Sequence, residues 1–154
     1  MTGGRLRRIK NYLNKDEPFF VTYGDGLSDI NIKESLDFHN KQGKLATVTA
    51  VYAPGRFGVL TIDREGTVVE KIVEKPQDSE NLINGGFFVL NPDALDYIEN
   101  DDYLWEKEPL ENLSRNKQLA AYVHHGFWQP MDTLREKRNL EDLWVTGRAP
   151  WKKW

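Results

Sequence analysis

A short apolar run, Phe19-Phe20-Val21-Thr22, ends abruptly in Tyr23-Gly24-Asp25-Gly26. Aromatic and β-branched residues make the run β-prone. A buried strand over Phe19 to Tyr23 that stops in Gly-Asp-Gly places one carboxylate at its carboxyl end, and the flanking glycines leave the approach open. Open α/β sheets bind ligands outside the carboxyl ends of their strands. A carboxylate there can hold Mg²⁺, and Mg²⁺ in turn holds phosphates. The same tetrapeptide also reads as a plain strand-to-loop turn in which Asp25 bonds its own backbone.

The rest of the chain alternates helical and strand patterns, which predicts an α/β fold with a mixed, mainly parallel sheet and flanking helices. Leu6 to Leu13 has helical spacing at Leu6, Ile9, Tyr12 and Leu13. Asp29 is placed to cap a helix from Ile32 to Gln42 that stops at Gly43. Strands are expected over Ala46 to Tyr52, Ile83 to Leu90 and Leu119 to His124. Pro54-Gly55 marks a turn, and Gly58 to Ile62 with Val68 to Glu74 reads as a hairpin. Further helices are expected over Asp93 to Ile98, Pro109 to Arg115 and Thr133 to Val145, the last with Leu134, Leu140, Leu143 and Trp144 as its apolar stripe. The 154 residues are read as a single domain, with residues 126–154 adding a terminal helix and an aromatic tail.

Composition narrows the function classes. Net charge is −3 with 29% charged residues, which favours neither disorder nor a nucleic-acid binder. There are no cysteines, so disulfides and thiolate zinc sites are excluded. His39, His124 and His125 are too few and badly spaced for a histidine metal site. No apolar run approaches a membrane span, and a cytoplasmic protein is the default expectation. The tail Trp151-Lys152-Lys153-Trp154 is expected to pack its tryptophans on this or a neighbouring subunit.

Four further segments put small, polar and charged residues at predicted strand ends: Arg56-Phe57-Gly58, Val73-Glu74-Lys75-Pro76, Asn84-Gly85-Gly86-Phe87 and Trp128-Gln129-Pro130-Met131-Asp132-Thr133. In this order, together with Tyr23-Gly24-Asp25-Gly26, they resemble the sugar-1-phosphate nucleotidyltransferases. Met1-Thr2-Gly3-Gly4-Arg5-Leu6, Phe87-Phe88-Val89-Leu90-Asn91-Pro92 and the stretch from Trp128 to Arg135 resemble the glucose-1-phosphate cytidylyltransferase subfamily. That family opens with a strand and a GGxGTR loop followed by a lysine, and no such loop is found here. Met1 looks like an internal methionine, so the chain is expected to be a fragment, with an incomplete Rossmann-like nucleotide-diphospho-sugar transferase fold.

The resemblance implies CTP and glucose 1-phosphate as substrates, CDP-glucose and pyrophosphate as products, Mg²⁺ as cofactor and a homo-oligomer. It also implies a place in nucleotide-sugar synthesis for lipopolysaccharide O-antigen. Asp25 and Asp132 match the aspartates that hold the metal. For Asp132 the plainer reading is a helix cap. Lys75 would anchor the sugar phosphate as a point charge, and Glu74 would accept hydrogen bonds from sugar hydroxyls. Neighbouring strand residues face opposite ways, however, and a surface pair at an edge strand is the local alternative. Gly58 and Gly85 would let ligand approach bare backbone, and Asn84 would add an amide. Gly86 reads equally as a turn glycine. Gly24 would offer a backbone N–H near the metal. Thr2-Gly3-Gly4-Arg5 is expected to precede a helix whose free N–H groups suit an anion, with Arg5 adding a cation. Arg56 and His124-His125 are left outside the site. Two functions follow: a cytidylyltransferase fragment that is inactive alone, or a non-catalytic sugar-phosphate-binding or oligomerising module.

Overall fold

The computed structural model describes residues 1–53, 59–62, 65, 67, 69–73 and 82–154. In chain order the elements are α1 (Thr2–Ile9), β1 (Phe19–Thr22), β2 (Gly26–Ser28), α2 (Ile32–Gln42), β3 (Ala46–Tyr52), β4 (Val59–Ile62), β5 (Val69–Val73), β6 (Leu82–Leu90), α3 (Glu108–Arg115), β7 (Leu119–His124), β8 (Trp128–Pro130) and α4 (Leu134–Val145). Short 3-10 turns follow α1 at Lys10–Tyr12 and β6 at Pro92–Tyr97.

The main sheet has the order β1-β6-β3-β7. It is mixed: β3 and β7 run parallel, and β6 is antiparallel to both β1 and β3. β3 is rich in Thr and Val and nearly all buried, as suits a strand with a neighbour on each side. β1 lies at the edge and is only alternately half-buried, not the buried strand expected from its apolar run. Period-two side-chain alternation leaves Phe20 facing out. β4 and β5 form the expected hairpin, with Val59 opposite Val73.

The core gathers Ala46, Phe88, Leu90, Ala94, Leu95, Ile98, Trp105 and Leu113. Phe88 stands edge-on to both Trp105 and Tyr23, with ring centroids 5.9 Å apart in each pair, the geometry that aromatic quadrupoles prefer. No helix among the described residues is long and apolar enough to cross a membrane.

One helix start and one helix cap differ from expectation. α1 begins at Thr2 and takes Gly3 and Gly4 inside it, although glycine is a poor helix former. Tertiary contact explains this. Both glycines are buried, the Gly3 N–H donates to the Tyr103 carbonyl at 3.0 Å, and a Cβ on Gly4 would strike the Asp101 backbone. These glycines admit a neighbouring loop, and the Gly3 N–H is committed to it. α2 is capped by Asn31, whose side chain accepts from the Lys33 and Glu34 amides, and not by Asp29. Its end at Gly43 is as expected: the residue is left-handed, with φ of 59°.

α4 is capped by Thr133 in a reciprocal box with Glu136. The capping oxygen is therefore not that of Asp132, whose backbone N–H donates to Glu136 at 3.0 Å. Of the expected apolar stripe only Leu140 is buried; Leu134 and Trp144 are exposed. Trp151 of the tail stacks near Phe127 at 5.4 Å, while Trp154 is exposed.

Candidate functional site

Asp25 immediately precedes β2 and Asp132 closely follows β8. β2 and β8 pair antiparallel, with Gly26 opposite Pro130. An antiparallel pair places the start of one strand beside the end of the other. The ladder extends one step further, since the Met131 N–H donates to the Asp25 carbonyl at 2.7 Å. Two acids 107 positions apart in sequence thus line one cavity of about 210 Å³. Thr22, Tyr23, Gly26, Asn84, Gly85, Gly86, Phe87, Trp128 and Pro130 complete its described lining.

Part of the lining comes from an irregularity in β6. Pairing with β3 jumps from Val48↔Phe88 to Ala50↔Asn84, so Gly85, Gly86 and Phe87 stand against Thr49 alone. Such bulges re-aim strands and their side chains. Gly86 has φ of 76°, and a Cβ there would come within 2.7 Å of the Tyr23 ring. Asn84 Oδ1 accepts from the Gly86 N–H at 2.8 Å. Gly85 is held from two sides. Its carbonyl accepts from Trp128 Nε1 at 2.7 Å, and a Cβ would lie 3.0 Å from both the Thr49 carbonyl and Val51. The requirement for glycine at 85 therefore comes from β3.

Tyr23 also lines the cavity. Its N–H donates to the Gly86 carbonyl at 3.2 Å, and its hydroxyl donates to Glu106 Oε1 at 2.6 Å. Burial first, then the Glu106 hydrogen bond and charge, hold the phenol well above its ordinary range. The Asn84 amide opposes this shift, and the Asp25 charge adds to it. Tyr23 therefore stays a hydrogen-bond donor at any ordinary pH.

The remaining residues singled out in the sequence fall in different places. Gly24 is exposed, and a Cβ on it would meet nothing within 4 Å. Arg5 is exposed on α1 and is not part of the described cavity lining. Gly58, Glu74 and Lys75 lie outside the described residues, as does Arg56. His124 binds Asp29 at 2.9 Å, and Asp29 also accepts from the Phe127 N–H at 2.7 Å. That pair ties the loop before β8 to the segment after β2. The described residues contain no cluster of three or more acid or histidine ligands.

Tyr23, Glu106 and the indole of Trp128 were not marked as site residues by the sequence. Tyr23 and Trp128 sit within the quoted motifs, which was the available signal. Glu106 lies in a charged run, Glu106-Lys107-Glu108, that looks like any solvated surface.

The fold itself is shared with solved structures. HddC from Yersinia pseudotuberculosis superposes with a TM-score of 0.61 at 21% identity, covering 90% of this chain and 60% of that one. The nucleotidyl transferase family matches residues 3–133, and the chain belongs to that family. The glucose-1-phosphate cytidylyltransferase of Salmonella typhimurium is 55% identical over the whole chain. Mannose-1-phosphate guanyltransferase of Candida albicans is 37% identical over 86% of it. The chain spans 59% of the length of the Salmonella relative and 39% of the Candida one.

Proposed function

We propose that this chain forms the sugar-phosphate and metal half of a glucose-1-phosphate cytidylyltransferase active site. The observation that carries the reading is the β2–β8 ladder, which delivers Asp25 and Asp132 to one cavity. The 55% identity to the Salmonella cytidylyltransferase supports cytidine over other bases.

In this reaction a phosphate oxygen of glucose 1-phosphate attacks the α-phosphorus of CTP. The bond from that phosphorus to the oxygen bridging the β-phosphate breaks, and pyrophosphate leaves with the electron pair. Such chemistry needs positioning and charge neutralisation more than covalent help. The donor set fits Mg²⁺, a hard cation that uses one or two carboxylates together with waters and substrate phosphates. Asp25 and Asp132 would hold it, and when bound it neutralises phosphate charge. Asn84 and the Gly85 backbone would face the sugar, and Gly24 would offer its N–H beside Asp25. Gly58, Glu74 and Lys75 are assigned to the sugar phosphate, and Arg5 to the substrate, by resemblance to the family. In this reading the protein works in the cytoplasm as a homo-oligomer, in nucleotide-sugar synthesis.

Mn²⁺, a paramagnetic substitute for Mg²⁺, tests the metal half. Binding followed by electron paramagnetic resonance should weaken about tenfold or more in Asp25→Asn and in Asp132→Asn, since losing one charged ligand costs at least about 1.4 kcal/mol. Glucose 1-phosphate should tighten Mn²⁺ binding to wild type. Variants that bind Mn²⁺ as tightly as wild type would remove the shared site and leave Asp25 as a turn residue.

A further inference from the structure

We infer that Glu106 is a positioning residue for Asp25: it fixes the Tyr23 side chain, and through it the point at which Gly24-Asp25-Gly26 leaves the sheet. The inference rests on the reading of Asp25 as a metal ligand.

The geometry is a relay with one member at each step. Glu106 precedes α3 and follows the buried Trp105, so its backbone is anchored in the core. Its carboxylate accepts twice, from Thr2 Oγ1 at 2.8 Å and from the Tyr23 hydroxyl at 2.6 Å. Thr2 Oγ1 is itself oriented, because it accepts from the Trp105 N–H at 3.0 Å. Both carboxylate oxygens are thus committed, and the Tyr23 hydroxyl has a fixed target. A charge-assisted bond from a phenol is strong and directional.

Tyr23 is the last anchored side chain before the acid. Beyond it Gly24 is exposed and a Cβ there would meet nothing within 4 Å, so the next support is the Asp25 carbonyl, which accepts from the Met131 N–H, and then the ladder from Gly26. On the other side a Cβ on Gly86 would come within 2.7 Å of the Tyr23 ring, and the Tyr23 N–H donates to the Gly86 carbonyl. Moving the ring would therefore shift the exit of β1 and the β6 bulge together. Glu106 is absent from the described lining of the cavity, and of its two hydrogen-bond partners, Thr2 and Tyr23, only Tyr23 lines it.

The test uses Glu106→Ala, Glu106→Gln, Tyr23→Phe and the Tyr23→Phe/Glu106→Ala double variant of the full chain. Amide hydrogen exchange at Tyr23 should accelerate in Glu106→Ala, while Val89 and Leu90 in β6 keep wild-type protection. Mn²⁺ binding should weaken roughly tenfold, as when the partner that orients a metal ligand is lost. Glu106→Gln keeps an acceptor for the hydroxyl and should restore most of both. The double variant should bind Mn²⁺ no more weakly than the worse single variant, since both changes break one relay. Unchanged Tyr23 exchange in Glu106→Ala overturns the inference. Equal loss of protection at Val89 and Leu90 does so too, because Glu106 would then serve general stability. If wild type binds no Mn²⁺, the metal reading of Asp25 fails, and Tyr23 exchange still decides the Glu106 relay.

Discussion

His39 is buried in the face that α2 turns toward β3, with Nδ1 2.9 Å from Thr47 Oγ1 and Nε2 3.2 Å from Asn91 Oδ1. The Asn91 amide nitrogen donates to the Lys44 carbonyl, which leaves Oδ1 as an acceptor for Nε2–H. Nδ1 then accepts from the Thr47 hydroxyl, and the ring is satisfied while neutral. Burial pushes its pKa below the ordinary value, with the Asn91 contact working the other way. The unfolded chain protonates this group near pH 6.5, and the folded chain only at lower pH. Between those values the unfolded state holds the extra proton, so stability is full above about 6.5 and falls as pH drops through the window. The slope contributed by one such proton is at most about 1.4 kcal/mol per pH unit. Denaturant midpoints at pH 7.5 and 5.5 should therefore fall further for wild type than for His39→Gln. At pH 7.5 the variant itself should cost about 1–3 kcal/mol, the penalty for disturbing a buried polar network. An identical pH dependence in the two proteins would show that His39 does not titrate with folding.

At the scale of elements, the glycines of the cavity divide by geometry. Gly86 carries a positive φ and has no room for a Cβ beside the Tyr23 ring; Gly24 carries neither constraint. Gly86→Ala should destabilise the protein by about 1–3 kcal/mol through strain at a left-handed residue, with added displacement of Tyr23. Gly24→Ala should stay within about 0.5 kcal/mol of wild type, as surface changes away from special features do. Thermal unfolding of the two variants checks both, and equal losses would mean that the bulge does not depend on residue 86. The same contrast separates what the sequence carried from what it did not. α2, β3 and β7 were legible because pattern and boundary agree, as with Gly43 closing α2. The start of α1 was not, because glycines at positions 3 and 4 argue locally against a helix that only the contact with residues 101 and 103 permits. Asn31 caps α2 in place of the expected Asp29, which is drawn off by His124 and the Phe127 amide from a loop nearly a hundred residues away. Asp25 and Asp132 were legible as acids at strand ends, but the ladder that joins them is a long-range pairing. Glu106 has no local mark at all, since its meaning lies in Tyr23, 83 positions earlier.

For the whole molecule, the charge inside the cavity bears on turnover. Its described lining includes two carboxylates and no lysine or arginine. Joining a sugar phosphate to a nucleoside triphosphate brings two anions together and releases a third, which requires cations placed against the phosphates. One metal held by Asp25 and Asp132 would offset part of that charge, and Lys75 is the further cation proposed from the family pattern. The Salmonella relative is longer, and this chain spans 59% of it. A polypeptide of these 154 residues alone is therefore expected to hold the metal and sugar phosphate without completing the transfer. Incubated with CTP, glucose 1-phosphate and Mg²⁺, it should release no pyrophosphate above a protein-free control, in an assay able to see rates far below the ordinary range of about 1–1000 per second. Glucose 1-phosphate should still tighten Mn²⁺ binding under the same conditions. Release at an ordinary enzyme rate would sink the expectation and would mean that these residues already supply the cations needed at the triphosphate. No release together with no effect of glucose 1-phosphate on Mn²⁺ would show that even the sugar-phosphate half is not formed by these residues on their own.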